Sequence, residues 1–256
     1  MEENIITYEQ PLNERVRLFL RLEHLFQQAS YTLYGESDWD SRASIDTLTN
    51  ILEILSRSDI KTELLKYLEK LQGTLARLQD VAAVNTEQLN LILGELENSQ
   101  DKLFTVNGSV AHSINEHHLI SSILQRKTVA AGTSHFDLPL YHFWLQRPAE
   151  ERIAALENWY KDLDVIRKPV GLLLQLIRDS ADAEPAQAEQ GFFQKALDTN
   201  RNIQLIRVFV PQSVSSYAEV SGGKHRVSVR FLEQQDSERP IQTQSDINFH
   251  MSYCSL

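Results

Sequence analysis

Eight histidines are the first residues to weigh, because imidazole serves both as a metal ligand and as a general base near neutral pH. His112, Glu116, His117 and His118 sit together in the run HSINEHH. A helical zinc hydrolase needs H-E-x-x-H or H-x-x-E-H, which sets the ligands on one helix face. The run matches neither motif, and the i,i+5 step from His112 to His117 puts those two rings on different faces of a helix. A metal-dependent hydrolase using His112, His117 and His142 is the alternative enzymatic reading. No G-x-S-x-G occurs, so the scattered Ser, His and Asp residues do not compose a triad. Ser221-Gly222-Gly223-Lys224 lacks the first glycine and the final Ser/Thr of a phosphate loop and reads as a tight turn. With no Rossmann fingerprint either, the sequence offers no support for an enzyme and implies no cofactor.

Organised basic side chains are the second candidate chemistry. Arg17 and Arg21 share one helix face, and Arg57 and Lys61 flank a break between two helices. His118 and Arg126 lie on the helix before Gly132, and His142 falls in the aromatic run Tyr141-His142-Phe143-Trp144. Lys224, Arg226 and Arg230 alternate along a hairpin strand, so all three are expected on one sheet face. Between 200 and 232 only Glu219 opposes Arg201, Arg207, Lys224, Arg226 and Arg230. Arginine forks pair carboxylates bidentately, and apolar neighbours lower the local dielectric, so an acidic peptide suits such a surface. The plainer reading is solvated charge, with Glu14 neutralising Arg17 at i,i+3 for about 0.2–0.5 kcal/mol.

The whole chain carries a net charge of −10, which argues against a nucleic-acid or anionic-lipid binder while leaving room for a local basic patch. Its 42% hydrophobic and 23% charged residues are those of an ordinary globular protein able to bury a core. Apolar runs such as Val170 to Leu174 are far shorter than the ~20 residues a membrane span needs, so no membrane insertion is expected. Glu2 and Glu3 stand where a signal peptide would carry positive charge, and Cys254 is the single cysteine. A cytoplasmic protein without an internal disulfide or a thiolate metal cluster is the expectation.

The elements that must hold these residues fall into two regimes. Ile5-Ile6-Thr7-Tyr8 reads as a strand, and Pro11 suits the first turn of a helix whose Leu12, Val16, Phe19, Leu20 and Phe26 form a buried stripe. Helices follow near 42–57, from Asp59 through Leu78, over 86–98 and over 111–127, with turn chemistry at Asn107-Gly108 and a break at Ala130 to Thr133. The 60–78 pattern suits a neighbouring helix of the same chain or a dimer seam. Two more helices run from Pro148 through Trp159 and from about 162 to 180, the latter kinked or restarted at Pro169. Residues 180–190 contain no large apolar side chain and read as a flexible connector, followed by a short helix at 191–198. Beyond that the period becomes two, with strands at 203–210, on either side of Gly222-Gly223, and from Ile241 to Tyr253. The class is therefore α+β: a helical domain over 12–190, and a small antiparallel sheet domain from 191–256 and 1–11. The first strand lacks a partner nearby in sequence and is expected to return to the C-terminal sheet.

Several ordered matches carry a resemblance. They are Pro11-Leu12-Asn13-Glu14 with Arg17 and Leu20-Arg21-Leu22-Glu23, then Lys61-Thr62-Glu63-Leu64-Leu65-Lys66. Ser134 with Phe136-Asp137-Leu138-Pro139, and His142 with Trp144-Leu145, come next. Gly191-Phe192-Phe193-Gln194 and the hairpin of Ser221-Gly222, Lys224, Arg226 and Arg230-Phe231 complete the set. In this order they run over nearly the whole chain, which resembles the ZapD family of FtsZ-binding, Z-ring-associated cell-division proteins of Gram-negative bacteria. The resemblance implies a homodimer that binds the C-terminal tail of FtsZ, bundles its protofilaments at midcell and needs no catalysis. It maps the family's basic pocket to Arg17, Arg21, Arg57, Arg126, His142, Lys224, Arg226 and Arg230. His118 stands where the family pattern expects arginine, and Ala130-Ala131 replaces a Pro-Gly turn. The histidine would leave that edge weaker or pH-dependent, since imidazole is only partly charged near neutrality.

Overall fold

A computed structural model describes residues 4–79, 85–106, 108, 110–234 and 239–255. The fold is α+β and divides into two compact units. One joins Met1–Leu18 to Leu174–Leu256, and the other is Phe19–Leu173. Both divisions fall inside helices, so neither coincides with a loop.

The first unit is a two-sheet sandwich built from both ends of the chain. Strands β1 (Ile5–Pro11), β2 (Glu184–Ala188), β4 (Ile203–Pro211) and β8 (Ile247–Ser255) form one antiparallel sheet in the order β1-β4-β8-β2. In the second, β3 (Phe192–Ala196), β6 (Arg226–Glu233) and β5 (Tyr217–Gly222) run in that order, with β7 (Ile241–Gln242) also paired to β6. Ile206, Val208 and Val210 of β4 meet Val227, Val229 and Phe231 of β6 in one buried cluster. The Phe249 ring of β8 lies tilted against Phe231, 5.3 Å from ring centre to ring centre.

As the sequence implies, the N-terminal strand pairs with a C-terminal one, Ile5 opposite Pro211 through Pro11 opposite Leu205. Pro11, however, belongs to that strand and not to the following helix. Helix α1 (Glu14–Thr32) is started by Asn13, whose Oδ1 accepts the Val16 N–H at 2.9 Å. Asn13 is thus the side-chain cap that leaves fewer orphan amides in the first turn.

The stretch read as a connector is a strand. Ala186 and Ala188 point into the core while Gln187 faces out, so the period of two is present but carried by small residues. Methyl groups this small gave no apolar signal, and pairing to β8 supplies the order that intrinsic propensity does not. The segment read as a short helix at 191–198 is β3. Gln190 and Gly191, at φ 47° and 73°, make the sharp turn between β2 and β3. A Cβ on Gly191 would lie 2.7 Å from the Thr243 carbonyl oxygen, so the turn requires glycine.

On the other face of the first sheet, Glu9 joins three elements. Its carboxylate accepts the Arg178 fork at 2.8 and 2.9 Å and Arg207 Nε at 3.1 Å. Arg178 ends α9 (Asp164–Arg178), which runs through Pro169 as one helix. Burial alone would push the Glu9 carboxyl up. The Arg178 hydrogen bonds and charge, with those of Arg207, outweigh burial and hold it below its ordinary value.

The second unit is helical. Most of α1 packs in it with α2 (Asp38–Arg57), α3 (Ile60–Ala76), α4 (Thr86–Thr105), α5 (His112–Asn115), α6 (His118–Arg126), α7 (Pro139–Leu145) and α8 (Ala149–Asp162). The expected 86–98 helix runs on to Thr105, and the expected 111–127 helix is broken into α5 and α6. The α3 stripe ends before Leu78, which is 38% exposed. Of the turn read at Asn107-Gly108, Asn107 lies outside the described residues, while Gly108 has φ 77°. Among the described residues no helix is long and apolar enough to cross a membrane.

Because the native carboxyl of Glu9 is the stronger acid, its stabilisation is complete above the unfolded value near 4.5 and is lost as pH falls through the folded one. Glu9→Gln is expected to cost about 2–3 kcal/mol at pH 7, toward the low end for a partly buried pair. It should also flatten the loss of stability below pH 4.5. Urea unfolding of both proteins at pH 7 and in the acid range checks this, and equal stabilities at pH 7 would refute it.

Candidate functional site

The histidines do not assemble. His112 Nε2 lies 3.3 Å from Glu116, the His117 ring meets Trp159 edge-on at 5.0 Å, and the His142 ring is 5.6 Å from His135. Among the described residues no group of three or more His, Cys, Asp or Glu is placed to hold a metal. Cys254 is buried, and burial pushes its thiol up, away from the reactive thiolate.

The cations are arranged differently. In the sandwich unit, Arg226 and Arg230 project from one face of β6, because Val227, Val229 and Phe231 alternate with them into the core. The expectation that Lys224 continues this row needs correcting. β6 begins at Arg226, and Lys224 stands in the turn before it, held where Gly223 N–H bonds the Arg226 carbonyl at 3.0 Å. The turn packs down on the chain just before α1, since a Cβ on Gly222 would lie 2.6 Å from Leu12 Cδ2. Arg17 is exposed on the first turns of α1, its Nε 3.4 Å from Glu14. Within this unit, then, Lys224 and the start of the Arg17 helix are drawn to one place by the Leu12 side chain packing on Gly222.

Glu219 stands opposite Arg230 across the β5–β6 ladder, yet no ion pair forms between them. Among the described residues Arg21, Arg126, Lys224, Arg226 and Arg230 are all exposed and none is neutralised by an acidic side chain.

In the helical unit Arg21 lies one turn beyond Arg17 on α1. Arg57 ends α2, where a cation meets the negative end of the helix dipole, and pairs loosely with Glu53 at 3.9 Å. Glu53 also takes Lys127 at 3.5 Å, and Lys127 donates to Thr49 and Asn50 of α2. Arg57 and the end of α6, where Arg126 sits, are therefore brought to one junction. Lys127 is a cation that the sequence reading passed over; its partners lie far off in sequence, and no local spacing signals them. His118 opens α6 with Nδ1 3.0 Å from Ser122 Oγ, and His142 is exposed on α7. Arg17, Lys224, Arg226 and Arg230 thus belong to the sandwich unit, and Arg21, Arg57, His118, Arg126 and His142 to the helical unit.

Such an arrangement of arginines and lysines is chemically suited to carboxylates. Comparison with known proteins gives the family. Residues 20–230 match the ZapD family, described as a cell division protein. The chain is 42% identical over 253 residues to the cell division protein ZapD of Methylococcus capsulatus, covering 99% of each. It is 32% identical to the ZapD of an Azoarcus species, covering 98% of this chain and all of the relative. The ZapD of Aromatoleum aromaticum is 31% identical with 98% of each covered.

Since Arg226 and Arg230 are exposed and carry no ion pair, reversing both to glutamate is expected to leave stability within about 0.5 kcal/mol per site. Denaturant unfolding checks this, and a larger loss would show that the two arginines hold the sandwich together.

Proposed function

Because the chain belongs to the ZapD family of cell division proteins, we propose that it works in division as a non-enzymatic FtsZ cross-linker. It binds the C-terminal tail of FtsZ through Arg17, Arg21, Lys224, Arg226 and Arg230, with Arg57, Arg126, His118 and His142 as further contacts. As a homodimer in the cytoplasm it carries two such sites, holds two protofilaments together and promotes Z-ring assembly at midcell. The observation that carries this reading is the set of exposed cations left without acidic partners on a strongly acidic chain.

Each contact need not be strong. An exposed ion pair contributes well under ~1 kcal/mol on its own, but arginine forks gripping several carboxylates of one peptide act together. A disordered tail loses chain entropy on binding, which keeps the contact reversible. Once one tail of a filament is held, the next is presented at high effective concentration, so many modest sites give firm bundling.

The decisive experiment is capture of an FtsZ tail peptide by the immobilised protein, with tail-less FtsZ as the comparison. Capture of the peptide and loss of tail-less FtsZ is expected; equal retention of both would overturn the tail as ligand. In sedimentation, Arg17→Glu with Arg21→Glu is expected to bring pelleted FtsZ down to the level of FtsZ alone, with melting temperature and dimer mass unchanged. Undiminished bundles would remove these arginines from the site. Bundling should also weaken as salt rises, because charges are screened over ~8–10 Å at 0.1–0.15 M.

A further inference from the structure

Alternation along β3, β6 and β5 sends one set of side chains into the sandwich and the other out of it. Phe193, Val227, Val229, Phe231 and Ala218 go in, with the Phe193 ring edge-on to Phe249 at 5.4 Å. Their neighbours Phe192, Leu232 and Tyr217 therefore turn outward, on the face that carries Arg226 and Arg230. Phe192 is 38% and Tyr217 37% exposed, and Leu232 is half-buried on the strand between them. The ladder fixes which of these adjoin. Phe192 stands directly opposite Arg230, and Tyr217 directly opposite Leu232 on the next rung. Opposed side chains start about 5 Å apart and diagonal ones about 7–8 Å, within reach of aromatic rings and of arginine. The three apolar side chains thus make one seat adjoining Arg230, set on paired strands of a single unit.

Charge says what would cover it. Among the described residues on the outward face of these three strands, Glu219 is the single acid beside the two arginines, and neither arginine forms an ion pair. A wholly apolar ligand would strip water from the Arg230 guanidinium and give it no partner, which costs free energy. A purely acidic ligand would lay charge over Phe192 and Tyr217. A peptide with a large apolar side chain next to a carboxylate meets both demands: the carboxylate takes the Arg230 fork, and the apolar group leaves water against the rings.

We propose that Phe192, Leu232 and Tyr217 seat a large apolar side chain of the acidic peptide whose neighbouring carboxylate pairs with Arg230. This rests on the tail-binding reading above and deepens it: the arginines select for charge, and the apolar seat selects which acidic peptide is kept. Aromatic rings suit the role because they offer large contact area with few torsions to immobilise.

The test is titration of a labelled FtsZ tail peptide into the full-length protein, its Phe192→Ser/Tyr217→Ser variant and its Arg226→Glu/Arg230→Glu variant, each at several salt concentrations. The serine variant should bind at least tenfold more weakly, while the slope of log affinity against log salt stays that of the wild type. The arginine variant should lose both affinity and slope. Wild-type affinity in the serine variant, with binding lost in the arginine variant, would overturn the apolar seat and leave tail binding standing. A second arm changes the peptide and so does not depend on how the serine variant folds. Serine at one of the peptide's large apolar positions should cost the wild-type protein the same tenfold and cost the serine variant nothing further. Additive losses, or no apolar position that matters, would also overturn the seat. A tail peptide that does not bind the wild type at all would overturn both readings.

Discussion

One carboxylate ties the sandwich unit together. Glu9 sits on the first strand, Arg207 directly opposite it on β4, and Arg178 at the end of the last helix. The three groups are only 21–23% exposed, so none can be left alone without a charge being stranded in poorly hydrated surroundings. The bidentate fork from Arg178 fixes direction as well as distance. Residues about 170 and 200 positions apart in sequence are thereby held to one register, and the Ile5 to Pro11 strand is kept on β4.

That register has consequences for where the basic residues stand. With β1 in place, its exit at Pro11 and Leu12 sets where α1 begins, and Asn13 starts the helix that carries Arg17. Leu12 in turn receives the hairpin turn at Gly222 that presents Lys224. The alternation of β6 then sends Arg226 and Arg230 outward for the same reason that Val227, Val229 and Phe231 go inward. Exposed cations without acidic partners are thus a by-product of a well-packed sandwich.

Much of this was legible in the residues themselves. The helices of the 38–76 region follow strong apolar spacing, the hairpin follows its paired glycines, and the return of the first strand follows from its lack of a local partner. What misled was the 180–198 stretch. Two alanines carry the inward positions of β2, and a turn with positive φ at Gln190 and Gly191 joins it to β3, so neither volume nor periodicity announced a strand. The exposed side of α7 was hidden for the opposite reason. Seven residues are too few to show which aromatic side chains point in, and Phe143 reads like its buried neighbours Tyr141 and Trp144.

The sequence by itself determined the α+β class, the absence of enzyme motifs, the family resemblance and the identity of the basic residues, because composition, period and short motifs are local properties of a chain. Only the tertiary structure decided that Glu9 is shared by two arginines, that Glu53 gathers Arg57 and Lys127, that Lys224 lies in a turn, and that Phe136, Leu140 and Phe143 face outward. Each of these depends on which distant residue supplies the opposite charge or the covering surface. Spacing along the chain cannot express that, since Coulomb attraction and burial act through space.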